Sequence, residues 1–240
     1  MPASSVFCSI IIPVLNDATS LTKLLKLLQP LRQQDYEIIV VDGGSDEQLA
    51  EHDQLDLDRY LVTSAGRARQ MNAGAEVARG ELLWFLHADS VVDPKNIQLL
   101  LQQFKSSGRN WGRFDVNLSG QDWRLKWVAF FMNWRSAITG IVTGDQGIFV
   151  YKTDFDQING YPNIAIMEDI AISKKLLKLS RPFRIKQRLT TSGRRWLTQG
   201  VFRTIMLMWS MRLAYFVGIS PQRLSRFYQP CKNKPSANQS

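Results

Sequence analysis

The stretch Gly66–Ser90, GRARQMNAGAEVARGELLWFLHADS, contains the pattern from which the fold is predicted. Its first part is rich in small residues and predicts a helix over roughly Arg69–Ala78, which Arg79-Gly80 closes. The run Leu82–Leu86 is continuously apolar, without the alternation of a half-exposed strand, so it predicts a strand buried on both faces. A helix followed directly by a fully buried strand is typical of α/β proteins.

The sequence before this stretch repeats the same pattern. Val6–Pro13 (VFCSIIIP) and Glu37–Val41 (EIIVV) are continuous apolar runs, and Tyr60–Thr63 predicts a short third strand. Between the first two runs, leucines recur at helical spacing at positions 21, 24, 25, 28 and 31. Buried strands separated by helices predict a mostly parallel sheet covered on both sides, which is a Rossmann-type α/β/α sandwich.

The composition is that of a folded protein with an uneven distribution of charge. Of 240 residues, 45% are hydrophobic and 21% are charged, which excludes a disordered or collagen-like chain. Residues 1–120 carry 11 Lys and Arg against 15 Asp and Glu, whereas residues 121–240 carry 19 against 6. No acidic residue follows Asp169. The basic half therefore predicts an anionic partner: phospholipid head groups, a phosphorylated substrate or nucleic acid.

Several features bear on the compartment. The two cysteines, Cys8 and Cys231, lie at opposite ends of the chain, which predicts free thiols in a reducing environment. The N-terminus lacks the basic and apolar regions of a signal peptide, and no apolar run of about 18 residues predicts a membrane-spanning helix. We therefore expect a cytoplasmic protein, with a disordered tail over residues 231–240.

Polar side chains follow the ends of three predicted strands. Asn16 and Asp17 follow the first strand, Asp42 follows the second, and His87 and Asp89 follow Leu82–Leu86. In an open α/β sheet the ligand crevice lies at these carboxyl ends, so the side chains are expected to converge on one site. Each also has a structural alternative: Asp42 as a turn cap, His87 as a polar residue satisfied within the fold, and Asp89 as the start of a turn.

Taken in order, these segments resemble the nucleotide-sugar-binding half of family 2 glycosyltransferases, which have the GT-A fold. Ser9–Asp17 (SIIIPVLND) is similar to the opening strand and loop of the family, and Glu37–Glu47 (EIIVVDGGSDE) to its second-strand motif. Gly66–Ser90 is similar to the segment that leads into the metal-binding Asp-x-Asp element, in the form GRA…QMNAGA…LHAD of a small bacterial subgroup. The resemblance implies donor contacts at Pro13, Val14, Leu15, Asn16, Asp17, Asp42, Gly43, Arg67, Asn72, His87, Ala88, Asp89, Arg194 and Arg195.

The metal-binding element departs from the pattern of the family. Where Asp-x-Asp is commoner, this chain has His87-Ala88-Asp89. A divalent cation that is shared with a diphosphate needs few protein ligands, so the resemblance still implies Mn²⁺ or Mg²⁺ at Asp89. Whether His87 contacts the metal or the ribose stays open at this point.

Glu168-Asp169 precedes a predicted helix over Ile170–Leu179. One alternative is a charge pair in the first turn, favoured by the helix dipole. The resemblance implies instead that Asp169 is the catalytic base of an inverting transfer, because that reaction needs a carboxylate within hydrogen-bonding reach of the acceptor hydroxyl. Glu168 and Asp145 are the other candidates for this base.

The segment Thr191–Trp196 (TSGRRW) is similar to the Arg-Trp element of the family. In that element Arg194 and Arg195 would bind phosphate bidentately. The alternative is a solvated, basic start of a helix.

Two aromatic and basic segments lie in the second half of the chain. One contains Trp123, Trp127, Phe130, Phe131 and Trp134, and the other runs over residues 196–228 with isolated arginines. Aromatic residues at helical spacing favour packing in a core. Basic residues with tryptophan and without acids are typical of interfacial helices on a membrane. Both alternatives stay open at this point.

The resemblance implies a GT-A-like domain over residues 1–195, and the patterns above predict a C-terminal helical extension over residues 196–230 and the tail. The expected activity is the metal-assisted, inverting transfer of a sugar from a nucleotide-sugar donor to an unknown, lipid-linked or membrane-surface acceptor, with peripheral contact to an anionic membrane. A catalytically inactive binding protein with this fold is the alternative, because the Asp-x-Asp element is altered. The oligomeric state is not indicated.

Two other classes are disfavoured. A nucleic-acid binder would explain the basic half, but the acidic strand ends would repel phosphate. A dehydrogenase is disfavoured because no Gly-x-Gly-x-x-Gly follows a predicted strand.

Overall fold

The computed structural model describes residues 6–32, 34–46 and 56–227. The described strands are β1 (Cys8–Val14), β2 (Tyr36–Asp42), β3 (Arg59–Val62), β4 (Leu82–Phe85), β5 (Trp111–Leu118), β6 (Phe149–Tyr151) and β7 (Phe183–Thr191). The described helices are α1 (Ala18–Arg32), α2 (Arg67–Val77), α3 (Ile97–Lys105), α4 (Trp123–Thr139), α5 (Lys152–Gln157), α6 (Glu168–Leu176), α7 (Arg194–Gln199), α8 (Val201–Phe216) and α9 (Pro221–Phe227).

All seven strands belong to one sheet, in the order β3-β2-β1-β4-β6-β5-β7. Strand β1 pairs in parallel with β2 and β4, β2 with β3, and β5 with β7. Within the described chain β6 alone runs the other way, because it pairs antiparallel with both β4 and β5. The predicted fold class, a mostly parallel α/β sheet, is confirmed.

The continuous apolar runs are explained by burial on both faces of the sheet. In β1, Ile10 and Ile12 pack with the leucines of α1 on one face, while Ile11 packs with α2 on the other. Helices α1 and α3 cover the first face, and α2, α5 and α6 cover the second. Every residue of β1, β2 and β4 is buried, which is why these strands show no alternation.

Element boundaries differ from the predictions by one to three residues. Helix α2 begins at Arg67 rather than Arg69, after Gly66 with φ of 145°, and α6 begins at Glu168 rather than Ile170. Helix α2 also packs very close to the sheet: a Cβ on Gly74 would lie 2.5 Å from Cγ2 of Ile11.

A buried carboxylate ties β1, β2 and the turn before β4 together. Glu37 is 1% exposed and accepts hydrogen bonds from the hydroxyl of Ser9 and from both the backbone N–H and Nε of Arg79. The backbone N–H of Gly80 donates to Oγ of Ser9 at 2.8 Å. Burial alone would raise the pKa of Glu37, but these hydrogen bonds outweigh it and lower the pKa.

The C-terminal helices pack beside β5. The amide of Asn133 in α4 both donates to and accepts from the backbone of Val116, at 2.9 and 2.8 Å. Helix α8 packs against α4 through Val201 and against the start of α6 through Met211. The predicted boundary between residues 195 and 196 falls inside α7, and the predicted tail over residues 231–240 lies outside the described residues.

Candidate active site

A cavity of about 1380 Å³ lies at the carboxyl ends of β1 and β4 and continues between α4 and α8. Ten of the sequence-predicted site residues line it: Pro13, Val14, Leu15, Asp17, Arg67, His87, Ala88, Asp89, Asp169 and Arg195. The other five lie outside the lining: Asn16, Asp42, Gly43, Asn72 and Arg194. The structure therefore brings most of the predicted residues to one cavity. The candidate base, Asp169, and the candidate metal ligand, Asp89, both line it.

Asn16 connects two loops instead of facing the cavity. It adopts a left-handed conformation with φ of 52°. Its backbone N–H donates to Oγ of Ser45, and its side chain exchanges two hydrogen bonds with Asp46. The loop after β1 is thereby held against the loop after β2.

Asp42 is engaged within the fold. Its side chain is 2% exposed and accepts hydrogen bonds from the backbone N–H and hydroxyl of Ser45, at 2.9 and 2.7 Å, and from the hydroxyl of Tyr60 at 2.7 Å. Burial and the bond to Asp42 raise the pKa of Tyr60, so the phenol remains a donor. The turn-cap alternative accounts for this carboxylate, and its contact with a nucleotide stays a prediction.

Gln70 is a site residue that the sequence analysis did not single out. It lines the cavity, is 3% exposed, and its Nε2 donates to the carbonyls of Val14 and Val41 at 2.8 Å each. Gly43 lies against it, since a Cβ there would be 3.2 Å from the Gln70 amide. The two residues hold the ends of β1 and β2 at the edge of the cavity.

Asn72 also has a positioning role. Its amide donates to the carbonyl of Tyr161 at 2.8 Å and accepts from the backbone N–H of Tyr161 at 2.9 Å. Tyr161 is buried and lines the cavity near Glu168 and Asp169. Asn72 therefore fixes the segment that leads into α6.

His87 pairs with a carboxylate from a distant loop. Its Nδ1 lies 3.3 Å from Oδ1 of Asp145, which is also 3.4 Å from Oγ1 of Thr191. Burial would raise the pKa of Asp145, but His87, followed by Arg67, lowers it. Gly144 leaves room for the imidazole, because a Cβ there would lie 2.3 Å from Nε2 of His87.

Asp89 lines the same end of the cavity as His87 and is partly exposed. Within residues 6–32, 34–46 and 56–227, its carboxylate has no hydrogen bond or ion pair. The same residues contain no group of three or more His, Cys, Asp or Glu side chains suited to hold a metal alone. This donor set fits a cation that takes one carboxylate from the protein and its other ligands from a bound phosphate and water.

Asp169 is the second residue of α6, and Met167, which precedes the helix, has a left-handed φ of 67°. Its Oδ2 accepts from the backbone N–H of Gly144 at 3.3 Å, and its Oδ1 accepts from the N–H of Ile170 at 2.8 Å. Burial raises the pKa of the adjacent Glu168, and the charge of Asp169 raises it further, while Arg67 opposes both. The loop of Gly144 and the start of α6 thus position two carboxyl groups in the cavity.

The two arginines of the TSGRRW segment separate. Arg195 lines the cavity, whereas Arg194 is exposed to solvent. The solvated-start alternative fits Arg194. Phosphate binding by either residue stays a prediction.

Most of the aromatic residues of α4 and α8 are on the surface. Trp123 is 66% exposed and Trp209 is 70% exposed. Other large apolar side chains of the two helices are similarly exposed: Trp127, Phe130, Phe131, Trp134, Phe202, Met206, Leu213 and Phe216. The core alternative is therefore wrong for these side chains. We call this set, with Trp123 and Trp209, the apolar surface.

Part of the apolar surface continues into the cavity, whose wall includes Trp127, Trp134, Phe202 and Trp209. One end of the cavity is thus polar, at Asp89, and the other is apolar. In the part of the chain that the structure describes, none of the helices combines the length and hydropathy needed to cross a bilayer.

The sheet topology, with a cavity at the carboxyl ends of its strands, matches that of proteins with the GT-A fold. The chain belongs to Glycosyl transferase family 2, whose family model matches residues 9–157. The predicted family and the predicted class of enzyme are confirmed. The bacterial subgroup signature stays a prediction.

Relatives and solved structures agree with this assignment. The undecaprenyl-phosphate 4-deoxy-4-formamido-L-arabinose transferase of Pseudomonas paraeruginosa is 28% identical over 151 residues, which cover 58% of this chain and 44% of that enzyme. The chain spans about half the length of the curated relatives it matches.

Among solved structures, S. aureus TarS 1-349 in complex with UDP-GlcNAc has a TM-score of 0.59 at 18% identity, covering 78% of this chain and 58% of that one. The mannosyltransferase PcManGT from Pyrobaculum calidifontis, in complex with GDP-Man and Mn²⁺, has a TM-score of 0.55 at 18% identity, covering 76% of this chain and 56% of that one. At this identity, both likenesses show a shared fold.

Proposed function

We propose that this chain transfers a sugar from a nucleoside-diphosphate sugar to an amphiphilic acceptor at an anionic membrane surface, with inversion at the sugar carbon. One observation carries the proposal: a single cavity joins Asp89, Asp169 and part of the apolar surface. A polar donor and an apolar acceptor would meet at the carboxylate between them.

The donor would occupy the polar end. Val14 at the end of β1, Leu15 and Asp17 in the loop that follows, and Arg67 at the start of α2 line this end. Asp89 would hold a divalent cation, Mn²⁺ or Mg²⁺, which supplies charge stabilisation to the leaving diphosphate. The complexes of TarS with UDP-GlcNAc and of PcManGT with GDP-Man and Mn²⁺ support a donor and a metal of these kinds.

Asp169 would act as the base. Two backbone N–H groups orient its carboxylate, those of Gly144 and Ile170, and it faces the cavity. A carboxylate held in this way can take the proton of an acceptor hydroxyl as the new glycosidic bond forms. Glu168 lines the same cavity, and burial and the charge of Asp169 raise its pKa, so it is the alternative base.

The acceptor would reach this carboxylate from a membrane surface. The apolar surface lies beside exposed basic residues, including Lys126 in α4, Arg194 in α7 and Arg223 in α9. Tryptophan with basic residues is typical of helices in the head-group region, and each basic residue near an anionic bilayer contributes about 1 kcal/mol. The lipid-phosphate substrate named for the Pseudomonas relative supports an acceptor of this class.

The donor site is tested by thermal unfolding with a panel of nucleoside diphosphates, with and without Mn²⁺. A ligand at 100 times its Kd stabilises the folded state by about 2.7 kcal/mol. We expect at least one nucleoside diphosphate to raise the unfolding temperature, more so with Mn²⁺, and Asp89→Asn to remove the Mn²⁺-dependent part.

Asp93→Asn is the matched control, because Asp93 is exposed and its carboxylate accepts only from the N–H of Lys95 among the described residues. If no nucleoside diphosphate changes the unfolding temperature, the donor site is rejected. If Asp89→Asn keeps the full Mn²⁺ effect, Asp89 is not the metal ligand.

A further inference from the structure

Two arginines face the cavity from helices that lie far apart in the sequence. Arg135 is in the last turns of α4 and Arg212 is in α8, and both side chains are partly buried. Within the residues that the structure describes, neither guanidinium forms an ion pair within 4.0 Å. Nη2 of Arg135 is buried and has no hydrogen-bond partner in the described part of the chain. A buried charged donor without a partner is costly, so the pair is suited to a ligand that supplies acceptors.

Burial acts against the positive charge of this pair, and nearby carboxylates oppose it only in part. Burial lowers the pKa of Arg135 to about 10, and the charge of Arg212 contributes, while Asp169 acts in the opposite direction. Burial also lowers the pKa of Arg212, against Asp169 and Asp145. Both guanidinium groups remain charged at neutral pH, and Asp169 is the carboxylate that acts on both.

The pair lies where the polar and apolar parts of the cavity meet. Trp134 precedes Arg135 in α4, Trp209 is one helical turn before Arg212 in α8, and both tryptophans line the cavity. The arginines are thus flanked by Asp169 on one side and by the apolar surface on the other. This arrangement matches a molecule with an anionic head and an apolar chain.

We propose that Arg135 and Arg212 form an anion site for the phosphate group of an amphiphilic acceptor, whose apolar chain lies along Trp134 and Trp209. The inference rests on the proposed function and deepens it by naming the chemical class of the acceptor. Guanidinium groups bind phosphate through paired N–H donors, which gives geometric selectivity as well as charge. A phosphate held there would place the reacting hydroxyl of the same head group next to Asp169, which would take its proton.

The test is isothermal titration calorimetry with octyl phosphate, octanol and inorganic phosphate, each with and without a nucleoside diphosphate and Mn²⁺. We expect octyl phosphate to bind the wild type at least about tenfold more tightly than either of the other two probes, because head and chain both contribute. Arg135→Gln and Arg212→Gln should each weaken octyl phosphate about tenfold and leave the affinity for the nucleoside diphosphate unchanged.

Arg203→Gln is the matched control: Arg203 lies on α8, is exposed, and is not part of the cavity wall. It should leave all affinities unchanged. Arg135→Lys keeps the charge but not the paired donors, and its affinity should fall between those of the wild type and Arg135→Gln. Thermal unfolding of each variant shows that the fold is retained.

Three results would overturn the inference. The first is that octyl phosphate fails to bind the wild type. The second is that the two Gln variants weaken the nucleoside diphosphate instead, which would assign the arginines to the donor. The third is that inorganic phosphate binds as tightly as octyl phosphate, which would make this a site for free phosphate. Octyl phosphate is also titrated without nucleotide. Failure of the nucleoside diphosphate to bind is therefore distinguished from failure of octyl phosphate to bind.

Discussion

Two regions of the molecule differ in how far their side chains are buried and hydrogen-bonded. One is the half of the sheet from β1 to β4, and the other is the surface formed by α4 and α8. In the first region the carboxylates of Glu37 and Asp42 are almost fully buried, and each accepts several hydrogen bonds from within the fold. In the second region large apolar side chains face outward, and Nη2 of Arg135 is buried with no partner among the residues of the described ranges. The carboxylates of the first region are hydrogen-bonded within the fold, so this region is a structural frame for the site. The second leaves contacts unmet among the described residues, which is why the proposed acceptor and membrane contacts are assigned to it.

The largest expected effect lies where the two regions meet. Asp169→Asn should lower transfer by about 10²–10⁴-fold while nucleoside-diphosphate affinity stays the same, because the change removes a proton acceptor and little volume. The measurement is release of nucleoside diphosphate from the donor selected by the thermal-shift panel. Asp156→Asn, at an exposed position of α5, is the control. Transfer within a few-fold of wild type would place the base elsewhere.

The next effect tests the frame. Glu37→Gln should lower the free energy of unfolding at pH 7 by about 2–3 kcal/mol, because it removes charge-assisted hydrogen bonds to Ser9 and Arg79. The folded pKa of Glu37 is lowered, so its contribution is complete above the unfolded carboxyl pKa and is lost as the pH falls through the folded value. Urea unfolding at pH 7 and pH 3 measures both.

The exposed Glu76→Gln serves as the reference and should change stability by less than about 0.5 kcal/mol. A Glu37→Gln protein as stable as this reference would mean that the hydrogen bonds of Glu37 contribute no net stability.

A smaller effect of opposite sign is expected at Glu168. Its folded pKa is raised, so the folded state retains a proton that the unfolded chain releases, and stability falls as the pH rises through that window. Glu168→Gln carries no charge and should be more stable than wild type by about 1 kcal/mol at pH 7, with no difference at pH 3. Thermal unfolding of the wild type and of Glu168→Gln between pH 3 and pH 7 measures this difference. A variant that is less stable than the wild type at pH 7 would contradict the prediction.

The smallest effect on stability is expected on the apolar surface. Trp127→Ser with Trp209→Ser should change the free energy of unfolding by less than about 0.5 kcal/mol, because both side chains are mostly exposed. The same change should abolish flotation with anionic liposomes, which salt should weaken in the wild type. Leu99→Ser, an exposed apolar position on α3, is the control and should float normally. A wild type that stays in solution at low salt would reject membrane docking.

The two regions also differ in what their sequence reveals. Strands buried on both faces leave long apolar runs, so the sheet of β1, β2 and β4 could be predicted, together with the convergence of Asp17, His87 and Asp89 at its edge. Position alone did not reveal that Asp42 is engaged by Ser45 and Tyr60, because such bonds depend on the path of the loops.

Contacts between segments that are distant in the sequence could not be predicted for a related reason. Asn72 and Tyr161, 89 residues apart, and His87 and Asp145 meet only because the chain crosses the sheet several times. The isolated arginines among apolar residues 196–228 were visible in the sequence, but no spacing rule links Arg212 to Arg135 on another helix. Only the packing of α8 against α4 brings the two to one cavity.

The shape of the cavity, polar at one end and apolar at the other, has a kinetic consequence. In the proposed arrangement the donor and the acceptor occupy opposite ends of the cavity, so they do not exclude each other and both are bound when the reaction occurs. Initial-rate plots at several acceptor concentrations should then intersect instead of running parallel. A nucleoside diphosphate product should then compete with the donor and not with the acceptor. In such an enzyme neither substrate has to leave before the other binds, so the reaction rate depends on the concentration of each.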